Sequence, residues 1–331
     1  GVALAELVGA GLARLRSEAQ HARLLVLGGF VGALASKLPE SLDDLATSAR
    51  AIFDQQVSLG LWARTALPAG SRIGVNDTGA IAYFSGKQTF DVVGLTTAGE
   101  SKYWVAGAGS RFEHYERLGK ARLPTHFIVY REWFALDDLL GLGLEERYVN
   151  ASILGGQLMG AFAASYAALG SADGMLGEEQ RIPNAKRREL GMPELGELPL
   201  GRVVDRLDVA DLESEATHGF VLGDARKEDD IVERVGFEAL DGGRQNRALD
   251  RFYLDVRPRG FLVLRVSSGV ATPLEVRVGS LRFEATTPSS LGEEVYLELP
   301  PDAPSGQVEI TVTAASARFT SLHYLSLAPL L

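Results

Sequence analysis

The sequence predicts an α/β protein: a small mixed α/β domain followed by an antiparallel β-sandwich of jelly-roll type, with N-terminal remnants of membrane helices. Three observations carry that prediction. Between residues 39 and 173 short apolar strands alternate with helical patterns. After residue 250, seven strand-length segments alternate apolar and polar residues, separated by gaps rich in Gly, Pro and Ser. Before residue 39, two apolar runs flank a basic stretch. The expected division is membrane segments and connector at 1–38, the α/β domain at 39–173, a linker at 174–200 and the sandwich at 201–331.

Leu24 to Leu38 reads LLVLGGFVGALASKL, with one charge at Lys37, and Gly1 to Ala13 carries only Glu6. Both are shorter than the roughly 20 residues that cross a bilayer. The second reaches that span if Arg23 and Lys37 snorkel, and the first is expected to be the tail of a longer helix. Arg14, Arg16 and Arg23 between them form a short basic connector of the kind retained in the cytoplasm, which puts residues 39–331 outside. A cleaved leader and a pair of soluble helices are the rival accounts. The first 38 residues contribute +2 to the chain's −10, leaving −12 on the rest, a charge that disfavours nucleic acid as a partner.

Ser41 to Leu67 reads as a helix, with Ser41 as N-cap, Asp43 and Asp44 in the first turn, and Leu45, Ile52, Val57, Leu61 and Trp62 on an apolar face. Pro68 to Gly70 ends it. Arg72–Asn76 is the first strand, Asp77-Thr-Gly79 a turn, Ala80–Phe84 a short helix and Thr89–Val93 the next strand. Thr125–Phe134 adds a further β segment. Tyr148–Ile153 and Gln157–Tyr166 can pair across Gly155-Gly156. Gly174 to Leu200, rich in Gly, Pro and charge, reads as an exposed linker. The seven later strands begin with RFYLDV at Arg251 and end with FTSLHYLSL, while the regions of Val203 and Val221 supply edges.

Candidate substrate-binding residues are Asn76, Asp77, Asp91 and Arg244. The first three sit at strand ends, where α/β folds build sites. Capping of the following amides is the structural account of Asn76 or Asp77, ligand contact and acid-base chemistry the functional ones. Asp241-Gly-Gly-Arg244 is a turn signal that can also set Arg244 beside a polar ligand. The acidic run Asp205, Asp208, Asp211, Glu213 and Glu215 can contact the α/β domain, bind a cation or meet a glycan. Tyr103, Trp104, Tyr130, Trp133 and Phe134 either stack on sugar or fill a small core. No metal site, catalytic residue or cofactor is assigned. Cysteine is absent, no EF-hand, HExxH, Walker A or complete GxGxxG pattern occurs, and the five histidines stand apart from a GxSxG elbow.

The stretch SARAIFDQQVSLGLWARTALPAGSRIGVNDTGAIAYFSGKQTFDVVGL resembles the periplasmic segment after the final membrane helix of bacterial multi-pass proteins of the polyprenyl-phosphate-sugar-dependent glycosyltransferase superfamily. Asn76, Asp77, Gly79 to Ile81, Tyr83 to Gly86, Asp91, Val92, Gly94 and Leu95 carry the likeness, which extends over Ser48 to Tyr166. The resemblance implies a bacterial cytoplasmic-membrane enzyme acting on a lipid-phosphate-sugar donor, with an upstream multi-pass membrane domain as partner of this region. The family's acidic catalytic loop lies upstream, so the expected role here is non-catalytic: supporting the membrane domain or positioning a lipid-linked sugar or glycan. A secreted or tethered carbohydrate-binding module and a self-contained soluble hydrolase are the alternatives.

Overall fold

The computed structural model describes residues 2–150, 154–169, 184–189, 201–223, 230–235, 238–246, 249–288, 294–314 and 318–329. Most of the expected linker lies outside them, apart from a short helix Asn184–Glu189. The α/β domain and the sandwich are both present.

The N-terminal segment is one helix, α1 (Val2–Ile52), of 51 residues and roughly 75 Å. It does not break into two spans with a connector, because RLRSEAQHAR is made of good helix formers with no Gly or Pro. The helix continues through Pro39, so Ser41 is a mid-helix residue and caps nothing. Val26, Leu27, Phe30, Val31, Leu34 and Leu38 are each more than half exposed along it. Among the described residues, no helix is long and apolar enough to cross a membrane.

A π-helical turn, Phe53–Val57, joins α1 to α2 (Ser58–Ala66). The extra residue of a π turn rotates the helix face. Leu45 and Ile52 therefore stay exposed, while Gln55, Gln56, Val57, Leu59 and Ala63 turn inward.

The α/β sheet runs β2 (Gln88–Asp91), β1 (Arg72–Val75), β3 (His126–Val129), β5 (Leu158–Ala164), β4 (Leu140–Tyr148). The first three strands are parallel, and β5 is antiparallel to both β3 and β4; its partner is Leu140–Tyr148 in place of the expected Tyr148–Ile153, of which residues 151–153 lie outside the described ones. Alternation along the strands divides two cores. Ile73, Val75, Ile128 and Ala161 pack with Leu59, Ala63 and, from α3 (Gly79–Ser85), Ile81. Phe90, Phe127, Val129 and Phe162 pack with Phe112 and Tyr115 of α5 (Ala108–Leu118), which follows α4 (Glu100–Ala106). Helices thus cover both faces of a small sheet, and Gly74 leaves the space that the Phe127 ring occupies.

All seven later strands form: β10 (Leu249–Val256), β11 (Phe261–Ser267), β12 (Pro273–Val278), β13 (Leu281–Thr286), β14 (Val295–Glu298), β15 (Gly306–Ala314) and β16 (Phe319–Pro329). β6 (Gly201–Asp208) and β7 (Val221–Leu222) are edges, as expected, and β8 (Asp230–Val235) and β9 (Glu238–Asn246) add a hairpin. One sheet runs β13-β12-β15-β10-β7 and the other β14-β11-β16-β9-β8, with β6 pairing a second stretch of β16. Inward residues such as Phe252, Leu254, Leu264, Val276, Ile310, Val312 and Tyr324 fill the space between them. Full burial of such a side chain contributes roughly 1.5–3 kcal/mol.

Candidate functional site

Two places gather polar side chains: the strand-end edge of the α/β sheet, and the seam where α5 docks on the sandwich.

At the strand-end edge, Asn76 follows β1 and is buried, its amide facing the peptide of Tyr130 in both directions at 3.5 and 3.4 Å. Asp77 is half-buried and accepts from Gln56 Nε2 at 2.5 Å. Neither residue caps α3, whose N-cap is Thr78 with no side-chain hydrogen bond. The capping account is therefore replaced by long-range pairing, because β3 lies beside β1 and the π turn brings Gln56 across. Gln55, the other amide of that turn, donates to the carbonyls of Arg147, Gly156 and Gln157 and accepts from the Tyr130 hydroxyl at 2.7 Å. Burial raises the Tyr130 phenol above its ordinary value, which keeps it a donor.

Asp91 ends β2 and is buried. Its Oδ1 accepts from the amides of Val93 and Gly94, and its Oδ2 from the amide and hydroxyl of Thr96. Gly94, at φ +87°, lets that loop close over the carboxylate, and a Cβ there would lie 2.1 Å from the Ser101 amide nitrogen. Asp91 is an organiser of the loop.

The aromatic residues divide by exposure. Tyr103, Tyr130 and Phe134 are buried, whereas Trp133 is 46% exposed. Trp133 lies against Gly155, and the exposed Tyr148 is within 3.4 Å of Gln157 Oε1 through its hydroxyl. Gln157 in turn donates to Asn150. One rim of the edge thus carries two open rings and two amides.

Arg244 belongs to the seam. Asp241 to Arg244 lie inside β9, so the expected turn is a strand, because Gly242 and Gly243 admit close neighbours. Arg244 donates to both oxygens of Glu215 at 2.7 and 2.9 Å, to Asp230 Oδ2 at 2.6 Å and to Ser110 Oγ at 3.2 Å. Its desolvation is outweighed by Glu215 and Asp230, so its pKa rises. None of these bonds reaches Asn76, Asp77 or Asp91.

The acidic run also makes the interdomain contacts. Asp211 caps the short helix Leu212–Thr217 through the amides of Glu213 and Ser214 and accepts from Arg117 of α5 at 2.6 Å. Glu213 accepts from Lys102, from the Tyr103 hydroxyl at 2.6 Å and from Arg117 at 2.8 Å. Burial alone would raise the Glu213 carboxyl, but the hydrogen bonds from Lys102 and Tyr103 hold it at about 2.

Beneath this contact lies an open cleft of about 340 Å³, lined among others by Glu113, Glu116, Arg206, Asp208, Asp211 and His218. Behind Asp208 sit His323 and Asp241. His323 Nε2 is 3.3 Å from Asp208 Oδ1, and its Nδ1 is 3.2 Å from Asp241 Oδ2 and 3.4 Å from the Arg265 guanidinium. The three residues are at most 4% exposed. Yet Asp208 Oδ1, Asp241 Oδ2 and His323 Nε2 have no hydrogen-bond partner of proper geometry. A buried polar atom left in that state costs about 1–3 kcal/mol. Among the described residues this is the group whose ligand atoms, all within 4.8 Å of one another, can hold a metal.

The larger surface depression, over β12 and β13, is lined by Glu275, Arg282 and Glu284, but its charges are paired with each other. Sequence reading names Asp208 and Arg244 but misses Gln55, Gln56, Glu113 and His323, and it takes Asp241 for a turn residue. The available signals are a Gln pair within a helical apolar pattern and a histidine in a strand that is buried over nine consecutive residues.

Residues 50–177 match the profile of a family described as a domain of unknown function (DUF8728). The search of curated proteins finds no match. Among solved structures, the chain is similar to the insecticidal crystal protein CRY2AA at 10% identity and a TM-score of 0.26, over 38% of this chain and 21% of that one. It is similar to CsCBM6-3 from Clostridium stercorarium, solved in complex with cellobiose, at 12% identity and a TM-score of 0.23, over 34% of this chain and 93% of that one. A family 35 carbohydrate-binding module from Clostridium thermocellum gives 15% identity and a TM-score of 0.26, over 39% of this chain and 98% of that one. Each likeness spans less than half of this chain and is too weak to bear on its ligand.

Proposed function

We propose that this chain is a non-catalytic glycan-binding module of the bacterial cell envelope, taking its sugar at the strand-end edge of the α/β domain. The observation that carries this reading is that two open aromatic rings stand at this end of the sheet, Trp133 against Gly155 and Tyr148 hydrogen-bonded to Gln157, which in turn donates to Asn150. Such rings offer a flat apolar face with a polar rim, and amides both donate to and accept from hydroxyls. The carboxylates at the same edge are already engaged, Asp77 by Gln56 and Asp91 by its loop, which favours positioning over proton transfer. Calorimetric titration with envelope-derived oligosaccharides tests the reading. Trp133→Ala and Tyr148→Ala should each weaken binding about tenfold, equivalent to about 1.4 kcal/mol, with the circular dichroism spectrum unchanged. Absence of saturable binding, or binding that both variants leave intact, refutes it.

A second reading, an accessory part of a membrane glycosyltransferase using a lipid-linked sugar, is favoured by α1. Its exposed apolar residues from Val26 to Leu38 call for cover by lipid or by other membrane helices. In this reading residues 39–331 face the periplasm or exterior. Flotation with phosphatidylethanolamine and phosphatidylglycerol vesicles should carry the wild type, and Leu34→Glu should abolish it. A wild type that stays with the aqueous fraction sinks the membrane reading and leaves the glycan reading standing.

A further inference from the structure

We propose that Asp208 and His323 ligate one divalent transition-metal cation, Zn²⁺ or Mn²⁺, with Asp241 backing the His323 ring, where the α/β domain docks on the sandwich. The three residues come from β6, β9 and β16, and β16 pairs with both of the others. Each is almost wholly buried, one ligand atom of each lies within 4.8 Å of the others, and Asp208 Oδ1 and His323 Nε2 face each other without a hydrogen bond of proper geometry. The 3.3 Å between His323 Nε2 and Asp208 Oδ1 is the edge expected of a tetrahedral cation with bonds of about 2.0–2.1 Å. On the far side of the ring, Asp241 Oδ2 stands 3.2 Å from Nδ1, the position from which a carboxylate fixes the tautomer that frees Nε2.

Carboxylates outnumber guanidiniums around the cleft, which is also lined by Arg117 and Arg206. Glu113 and Glu116 approach from α5 and Asp211 from the loop after β6. Arg265 pairs with Glu294 at 2.8 Å and lies 3.4 Å from His323 Nδ1, on the side of the ring away from Asp208, and Arg117 is engaged by Asp211 and Glu213. Entry is through the cleft that Asp208 and Glu113 line, which also admits water to complete the coordination shell. Mixed imidazole and carboxylate ligands suit Zn²⁺ or Mn²⁺ better than Ca²⁺.

The test uses the full chain after treatment with a chelating resin. Titration with Zn²⁺ should show one equivalent bound, and Co²⁺ in its place should give visible d–d absorption that also saturates at one equivalent. The unfolding midpoint should rise with the cation and return with chelator. Asp208→Asn and Asp241→Asn should each weaken affinity at least about tenfold. His218→Gln should not, although its ring lines the same cleft and lies 3.2 Å from Asp205. Binding lost in His218→Gln but kept in Asp208→Asn would overturn the assignment. If a variant fails to fold, the wild type decides: no Co²⁺ band at one equivalent refutes the site and leaves His323 between two aspartates as a structural contact.

Discussion

Arg244 and Asp230 face each other across the β8–β9 register, the guanidinium donating to the carboxylate at 2.6 Å. Asp230 also accepts from the amide and hydroxyl of Ser110 on α5, so one buried carboxylate ties the sandwich to the α/β domain. Burying such a pair costs solvation of both ions, and the added hydrogen bonds offset it.

Removing Arg244 leaves Asp230, whose side chain is fully buried, without its cation. Arg244→Ala is expected to cost about 3–5 kcal/mol. Denaturant unfolding followed separately by Trp fluorescence, which reports on the α/β domain, and by far-UV circular dichroism should then show two transitions. A single transition with an unchanged midpoint would remove the pair from the docking account.

The docking also needs glycine. A Cβ on Gly109 would lie 2.2 Å from the Ile231 carbonyl oxygen, a backbone atom that can yield only if α5 retreats from β8. Gly109→Ala should destabilise by about 1–3 kcal/mol, whereas Gly79→Ala, with nothing near its Cβ, should be close to neutral. Equal midpoints for the two variants would refute the close approach.

Glu113 gives the seam a pH dependence of definite sign. Desolvation, then Asp208, Asp241 and Glu116, hold its carboxyl well above the usual range, and burial raises Asp241 too. The facing groups are Glu116, Asp208, Asp241, Arg265 and His323. The folded chain therefore keeps protons that the unfolded chain releases near about 4.3, and stability falls as the pH rises from there toward the folded values. Glu213 acts oppositely at the acid end, its contribution being lost as the pH falls from about 4.3 toward about 2. Glu113→Gln retains an acceptor for the Gly242 amide and has no proton to lose. In chelator, wild type should lose thermal stability between pH 5 and 8 more steeply than the variant, which should be the more stable at pH 8. Parallel curves would contradict the assignment.

Asp77→Asn separates positioning from proton chemistry at the strand-end edge. Gln56 can donate to an amide oxygen as it does to the carboxylate, so stability should change by less than about 1 kcal/mol and glycan affinity by less than about tenfold. Complete loss of binding in a folded variant would give the Asp77 charge a direct role.

Legibility in the sequence follows the range of the interaction. The sandwich strands were readable because alternation is local: Phe252, Leu254 and Val256 fall on one face whatever their partners. Asn76, Asp77 and Asp91 were readable as strand-end residues for the same reason, and the acidic run from Asp205 to Glu215 as a contact surface. Their partners were not. Gln56 reaches Asp77 because a π turn rotates the chain, and a helical pattern of period 3.6 hides that turn. The continuity of α1 through Pro39 was equally hidden, since proline signals a boundary in sequence.

By itself, then, the sequence determined the seven late strands, the acidic run from Asp205 to Glu215 and the lack of cysteine. The tertiary structure alone decided which charges meet: Arg244 with Asp230 and Glu215, and His323 with Asp208 and Asp241. The physical reason is that strand periodicity is fixed by neighbouring residues. A buried polar cluster is fixed by registers between strands far apart in the chain, where a slip of one residue would turn every one of these side chains to the opposite face.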